Sequence, residues 1–112
     1  MKTVFLAGSR KFFREIEEVK YLLEKEGIHV LKGRDSKEDE EALYMFQRID
    51  QSDIIYVVSI GGYVGRTAAE EIDYAFGKGK EIFSSEHVSD NFRHSIQKTI
   101  SPAELADYIK RN

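Results

Sequence analysis

The chain has 112 residues, enough for one modest core but too few for two, so one site or one principal interface is the most to expect. It contains no cysteine, which excludes disulfides, thiolate zinc sites and a cysteine nucleophile. Its 17 Lys and Arg against 20 Asp and Glu leave a formal charge of −3, so no nucleic acid polymer is expected as partner.

The opening MKTVFLAGSRKFF holds an apolar run far shorter than a signal-peptide core or a membrane span, and the expectation is one soluble, cytoplasmic domain over residues 1–112. Residues 2–7 (KTVFLA) read as a first strand, and GSR follows as a turn. Phe13, Ile16, Val19 and Leu23 then recur at helical spacing until Gly27. IHVL (28–31) is a second strand. After KGRD a helix is expected from near Ser36, where Ser36 and Asp39 resemble a capping pair, with Ala42, Met45, Phe46 and Ile49 as its buried stripe.

IIYVVSI (54–60) is the most apolar run and has the character of a central strand covered on both faces. A glycine-rich loop follows, then a helix over 67–78 that ends at GKGK, a strand EIF (81–83) and an ambiguous stretch whose last residues could form a short fifth strand. The closing helix has Ser101 at its cap, Pro102 at its first position and Glu104 completing a capping box. Alternating strands and helices predict an α/β fold: a Rossmann-like or flavodoxin-like open parallel sheet of four to five strands flanked by helices.

Ligands of such folds bind beyond the carboxyl ends of the strands, near the switch in strand order. That rule selects the loops 8–11, 32–36 and 60–67, which carry Arg10 and Lys11, Lys32 and Arg34, and Arg66. Helix amino termini point to the same edge, and together they suit an anion such as a phosphate. Gly61, Gly62 and Gly65 permit positive φ and close backbone approach to a ligand.

Two adjacent glutamates follow this loop. At about 100° per residue, Ala68, Ile72, Ala75 and Phe76 make one stripe facing the sheet, with Glu71 on its flank and Glu70 almost opposite. Thr67 and Glu70 have capping-box spacing, which accounts for Glu70. Glu71 is either a dipole or ion-pair partner, with Arg10 or Lys78, or a functional carboxylate.

Two stretches, VFLAGSR and IDQSDIIYVVSIGGYVGRTAAEEIDYAFGKGKEIF, resemble the nucleoside 2-deoxyribosyltransferase-like superfamily, which includes nucleotide N-glycosidases. The resemblance extends to about residue 84. It implies cleavage of an N-glycosidic bond, or transfer of the 2-deoxyribosyl group, without a cofactor or metal. The substrate would be a nucleoside or nucleoside monophosphate, and the assembly a homodimer or higher homo-oligomer. Glu71, in EIDYA, takes the place of the nucleophile that attacks the anomeric carbon and forms a glycosyl-enzyme, chemistry suited to an oxocarbenium-like transition state.

By the same resemblance Gly8, Ser9, Arg10, Gly62, Tyr63, Gly65, Arg66 and Thr67 would surround the substrate. The sequence departs from the family pattern at two positions. The usual second acid aligns with Met45, and a tyrosine often found on the first strand aligns with Phe5. Asp53 begins the central strand, at the wrong edge, whereas Asp35 follows the second strand and is the candidate replacement acid, with a turn-forming role as its alternative. GSRKF with the glycine turn is also similar to nucleotide-binding proteins of the lysine-decarboxylase-like and DNA-processing type. Both resemblances imply cleavage or recognition of an N-glycosidic nucleotide, and the alternative function is a non-catalytic nucleotide-binding or sensing module that has lost the second catalytic acid.

Overall fold

A computed structural model describes residues 1–33 and 42–111, with the side chains of 42–44 and 90 set aside. Five parallel strands form one sheet: β1 (Val4–Ala7), β2 (Val30–Lys32), β3 (Ile54–Val57), β4 (Glu81–Ser84) and β5 (Lys98–Thr99). Their spatial order is β2-β1-β3-β4-β5. This is the flavodoxin-like order, and its direction reverses between β1 and β3. The short fifth strand expected from the sequence pairs with β4 through Phe83–Lys98 and Ser84–Thr99.

The side chains of β1 and β3 alternate between two cores, as a period of two requires. Val4, Leu6, Ile54 and Tyr56 pack against Ile16, Val19 and Leu23 of α1 (Phe13–Lys25) and Leu105 and Ile109 of α4 (Pro102–Arg111). Phe5, Ala7, Ile55 and Val57 face the opposite layer, with Met45 and Ile49 of α2 (Ala42–Asp50) and Ile72 and Ala75 of α3 (Arg66–Gly77). The buried Tyr56 hydroxyl donates to the Ile100 carbonyl at 2.7 Å, which ties β3 to the approach to α4. Among the described residues, no helix is long and apolar enough to cross a membrane.

The capping box of α4 forms as the sequence predicts: the Ser101 amide donates to Glu104 Oε1 at 2.9 Å, and the Glu104 amide to Ser101 Oγ at 3.1 Å. The box expected at α3 does not. Gly65 is the N-cap and Arg66 the first helical residue, so Thr67 already lies inside the first turn, where its hydroxyl is displaced from the cap position. Glu70 is consequently an exposed helix residue without a capping role.

Three further expectations change. β3 stops at Val57 rather than Ile60: the Val58 amide still donates to Ala7 O, but the Ser59 amide turns to Ser85 Oγ. Phe76 leaves the sheet-facing stripe, is half-exposed, and meets His94 edge to face at 5.4 Å. The buried arc is centred between Ala68 and Ala75, which places Glu71 about 50° from the centre and Phe76 about 90° from it. Phe12 is buried, but Phe13 is 55% exposed, because a one-turn 3-10 helix over Arg10–Phe12 precedes α1 and rotates its start. The expected cap of α2 at Ser36 and Asp39 lies outside the described residues.

Candidate active site at the switch point

The sequence of β1 ends in Gly8 because the chain must pass close to β3 and α1. A Cβ there would stand 2.9 Å from Val58 O and 3.0 Å from Ile16 Cδ1. β2 likewise ends in a glycine, Gly33, whose absent Cβ would lie 3.1 Å from Glu71 Oε2. The carboxyl ends of β1 and β2 thus open, without side chains, onto one acid. Around it lies a cleft of about 70 Å³, walled by Gly8, Arg10, Lys32, Gly33 and Thr67 and flanked by the half-exposed Phe13.

Glu71 is 2% exposed, a depth the helical pattern underestimates. The ion pair with Arg10 or Lys78 considered from the sequence is not among the interactions shown for it. Its Oε1 is buried without a hydrogen-bond partner. Burial pushes its ionisation up to about 8; the Gly8 amide pulls in the opposite direction, and the charge of Glu70 adds to the rise. A carboxylate isolated in this way meets the desolvation cost of its charge with one backbone donor and, among the described residues, no ion pair. Such an arrangement favours a reaction partner that brings positive charge into the cleft.

The other expected site residues divide into two groups. Gly8, Arg10 and Thr67 line the cleft with Glu71. Ser9 caps the 3-10 helix, its Oγ accepting from the Lys11 amide at 3.4 Å, and abuts Gly65: a Cβ on Gly65 would stand 3.4 Å from Ser9 Oγ. Gly65 has φ −77°, so its small size serves close packing against Ser9 and Tyr63, not a positive φ. Positive φ occurs instead at Gly61 (67°) and Gly62 (79°). The bare side of Gly62 faces His87 O, where a Cβ would come within 2.9 Å, so this residue docks the loop onto the segment after β4.

That docking is reinforced by hydrogen bonds. Ser85 Oγ donates to Ser59 O at 3.1 Å, Ser59 Oγ donates to Tyr63 O at 2.9 Å, and the Gly61 amide donates to Glu86 Oε1 at 2.9 Å. The segment 84–87, at and after the end of β4, is therefore a bracket for the glycine loop. Tyr63 lies outside the cleft lining, with the Lys11 ammonium 3.4 Å from its ring centroid and Phe12 edge-on at 5.9 Å. Arg66 opens α3 on the exposed side and is likewise outside the lining.

Met45, aligned with the usual second acid, is buried in the core layer that contains Phe5, Ile49 and Ile72. Phe5 is fully buried, and its Cζ approaches Gly33 from the sheet side. Asp53 is at the opposite edge, its Oδ2 accepting from the Thr3 amide at 2.8 Å, in keeping with a structural role. Asp35 lies outside the described residues. No group of three or more His, Asp or Glu suited to a metal is found among the described residues.

Phe13 and Gly33 were not recognisable as cleft residues from periodicity. Their available signals were an aromatic directly after GSRK and a glycine ending the second strand as Gly8 ends the first.

The switch-point cleft with its buried helix carboxylate defines a flavodoxin-like α/β protein with a site at the expected edge. The 2-deoxyribosyltransferase of Bacillus psychrosaccharolyticus shares this fold, with a TM-score of 0.70 at 15% identity over 95% of this chain and 91% of that one. So does the CMP N-glycosidase of Clostridium botulinum, with a TM-score of 0.65 at 22% identity over 99% of this chain and 100% of that one. A Burkholderia thailandensis protein ascribed to pilus assembly is also similar, with a TM-score of 0.61 at 16% identity over 99% of this chain and 97% of that one. No protein-family profile matches the sequence, and no curated protein matches it significantly. The fold is thus shared between proteins of different roles, and function has to be argued from the site.

Proposed function

We propose that the protein acts on the N-glycosidic bond of a nucleoside or nucleoside monophosphate, by hydrolysis or 2-deoxyribosyl transfer, with Glu71 as nucleophile. The observation that carries this reading is the buried, unpartnered Oε1 of Glu71 beside a cleft lined by Arg10 and Lys32. The glutamate in EIDYA and the fold shared with a deoxyribosyltransferase and a CMP N-glycosidase support it.

In this mechanism the ionised Glu71 attacks C1′ of the sugar. The C1′–N electron pair departs with the base, which takes up a proton, and a glycosyl ester with inverted C1′ is left on Glu71. Water or an acceptor base then attacks C1′ from the opposite side, loses a proton and releases the glutamate, giving net retention. A desolvated carboxylate with no ion-pair partner among the described residues is complementary to the positive charge that develops at C1′. Arg10 would hold a 5′-phosphate, with Lys32, whose ammonium also pairs with Glu17 Oε1 at 2.7 Å, as the second cation of the cleft wall, and Ser9 and Thr67 would contact the substrate. Asp35 would serve as the second acid. Chromatography of free base after incubation with each deoxynucleoside monophosphate tests this: release by wild type and its loss in Glu71→Ala are expected, and no release from any of them refutes it.

Met45 at the usual second-acid position favours one other reading, a nucleotide-binding module without turnover. It predicts calorimetric binding of a nucleotide, no free base, and equal affinity in Glu71→Gln.

A further inference from the structure

Glu71 rests against the end of β2, an edge strand of three residues that pairs only with β1. The outer carbonyls of a short edge strand have no strand beyond them to supply donors. Arg48, in the last turn of α2, supplies them: its guanidinium donates to the Lys32 carbonyl at 2.8 Å and also to the Gly33 carbonyl. Gly33 also faces the carboxylate: a Cβ there would stand 3.1 Å from Glu71 Oε2, tighter than ordinary contact. A continuous chain of contacts therefore runs from α2 through the end of β2 to the acid on α3.

We propose that Arg48 and Gly33 are positioning residues for Glu71: the Arg48 Nη1, donating to two successive carbonyls, fixes the end of β2, and the bare Gly33 backbone sets where the carboxylate stands in the cleft. This rests on reading Glu71 as the reacting group. Arginine suits the task because the two N–H groups of its Nη1 are held in the guanidinium plane and reach two successive carbonyls, whereas the donors of an ammonium rotate freely. Glycine suits it because a Cβ at position 33 would crowd the carboxylate, which would have to shift by a few tenths of an ångström. Arg48 lies outside the cleft lining and acts only through the backbone it holds. Among the described residues, the charged groups around Glu71 are Glu70 on its own helix, Arg10 and Lys32 in the cleft walls, and Arg48 at the Gly33 carbonyl.

The test compares Arg48→Ala, Arg48→Lys and Gly33→Ala with wild type. The side-chain carboxyl of Glu71 is titrated by carbon NMR, with Glu71→Gln as the blank that assigns its signal, and kcat and KM are measured for base release. A freed strand end admits water to the acid, so Arg48→Ala should lower the pH at which Glu71 ionises by about one unit or more. It should also lower kcat about 10- to 100-fold while KM moves about twofold or less. Arg48→Lys should restore part of both, and Gly33→Ala should displace the titration and reduce kcat.

A folded Arg48→Ala variant in which Glu71 titrates as in wild type overturns the proposal; if that variant does not fold, a wild-type titration in Gly33→Ala does so. Should wild type release no base, the catalytic reading fails alone, because the titration still reports whether Arg48 and Gly33 govern the seat of Glu71.

Discussion

Glu71→Gln should make the protein more stable, and by an amount that grows with pH. Burial holds the Glu71 carboxyl protonated up to about 8, whereas in the unfolded chain it ionises near the ordinary value of 4.5. Below 4.5 both states carry the proton, and the group contributes no pH dependence. Between 4.5 and 8 the unfolded chain releases a proton that the folded chain keeps, so wild-type stability falls as pH rises, and above about 8 the loss is complete. At about 1.4 kcal/mol per pH unit, the interval to pH 7 amounts to about 3 kcal/mol and the whole span to about 5 kcal/mol.

Glutamine has the shape of the protonated acid and never ionises, so the two proteins should differ by less than about 1 kcal/mol at pH 4.5 and diverge thereafter. For a domain of this size the gap at pH 7 corresponds to a rise in Tm on the order of 15 °C. Urea unfolding of both proteins at half-unit intervals from pH 4.5 to 9 measures it. Parallel stability curves, or a wild type that gains on the glutamine variant as pH rises, would refute the claim that an unpaired, desolvated carboxylate sits at this position. A large gain would also identify Glu71 as a residue retained at a cost in stability, as expected of a functional group.

If Glu71 must be ionised to attack, kcat/KM for base release should rise about tenfold per pH unit below 8 and level off above it, since about a tenth of the free protein is ionised at pH 7; a pH-independent kcat/KM between 6 and 9 would exclude that role. Gly8→Ala should cost about 1–3 kcal/mol, because its Cβ would meet the Val58 carbonyl, which belongs to the central backbone and cannot swing aside; an unchanged urea midpoint contradicts the close passage of β1 and β3. Ser101→Ala should lose about 1 kcal/mol from the α4 cap, while Thr67→Ala at the non-capping position of α3 should stay within about 0.5 kcal/mol by the same assay. The reverse ranking would mean that Thr67 caps α3 after all.

Local chemistry was legible wherever a single residue type decides local geometry. The Ser101-Pro102-Glu104 sequence specifies a helix start by itself, and the alternation of Phe5 and Ala7 with Val4 and Leu6 specifies a strand covered on both faces. The same reading placed Glu71 on the inward flank of its helix and Glu70 outside. It failed at Thr67, where two possible caps stand two residues apart, because the choice of Gly65 depends on how the glycine loop packs on Ser9 and Tyr63.

The sequence by itself therefore determined the α/β class, the loops at the carboxyl ends of the strands and the inward flank on which Glu71 stands, since these follow from periodicity and turn chemistry along the chain. Only the tertiary structure decided that Glu71 is fully buried with an unpartnered oxygen, that Gly33 and Phe13 join the cleft, and that Tyr63 is covered by Lys11. Those facts depend on strand order, which brings residues 8, 33 and 71 together across the ends of β1 and β2. No local pattern encodes that meeting, because desolvation is a property of everything packed around a group and not of its neighbours in sequence.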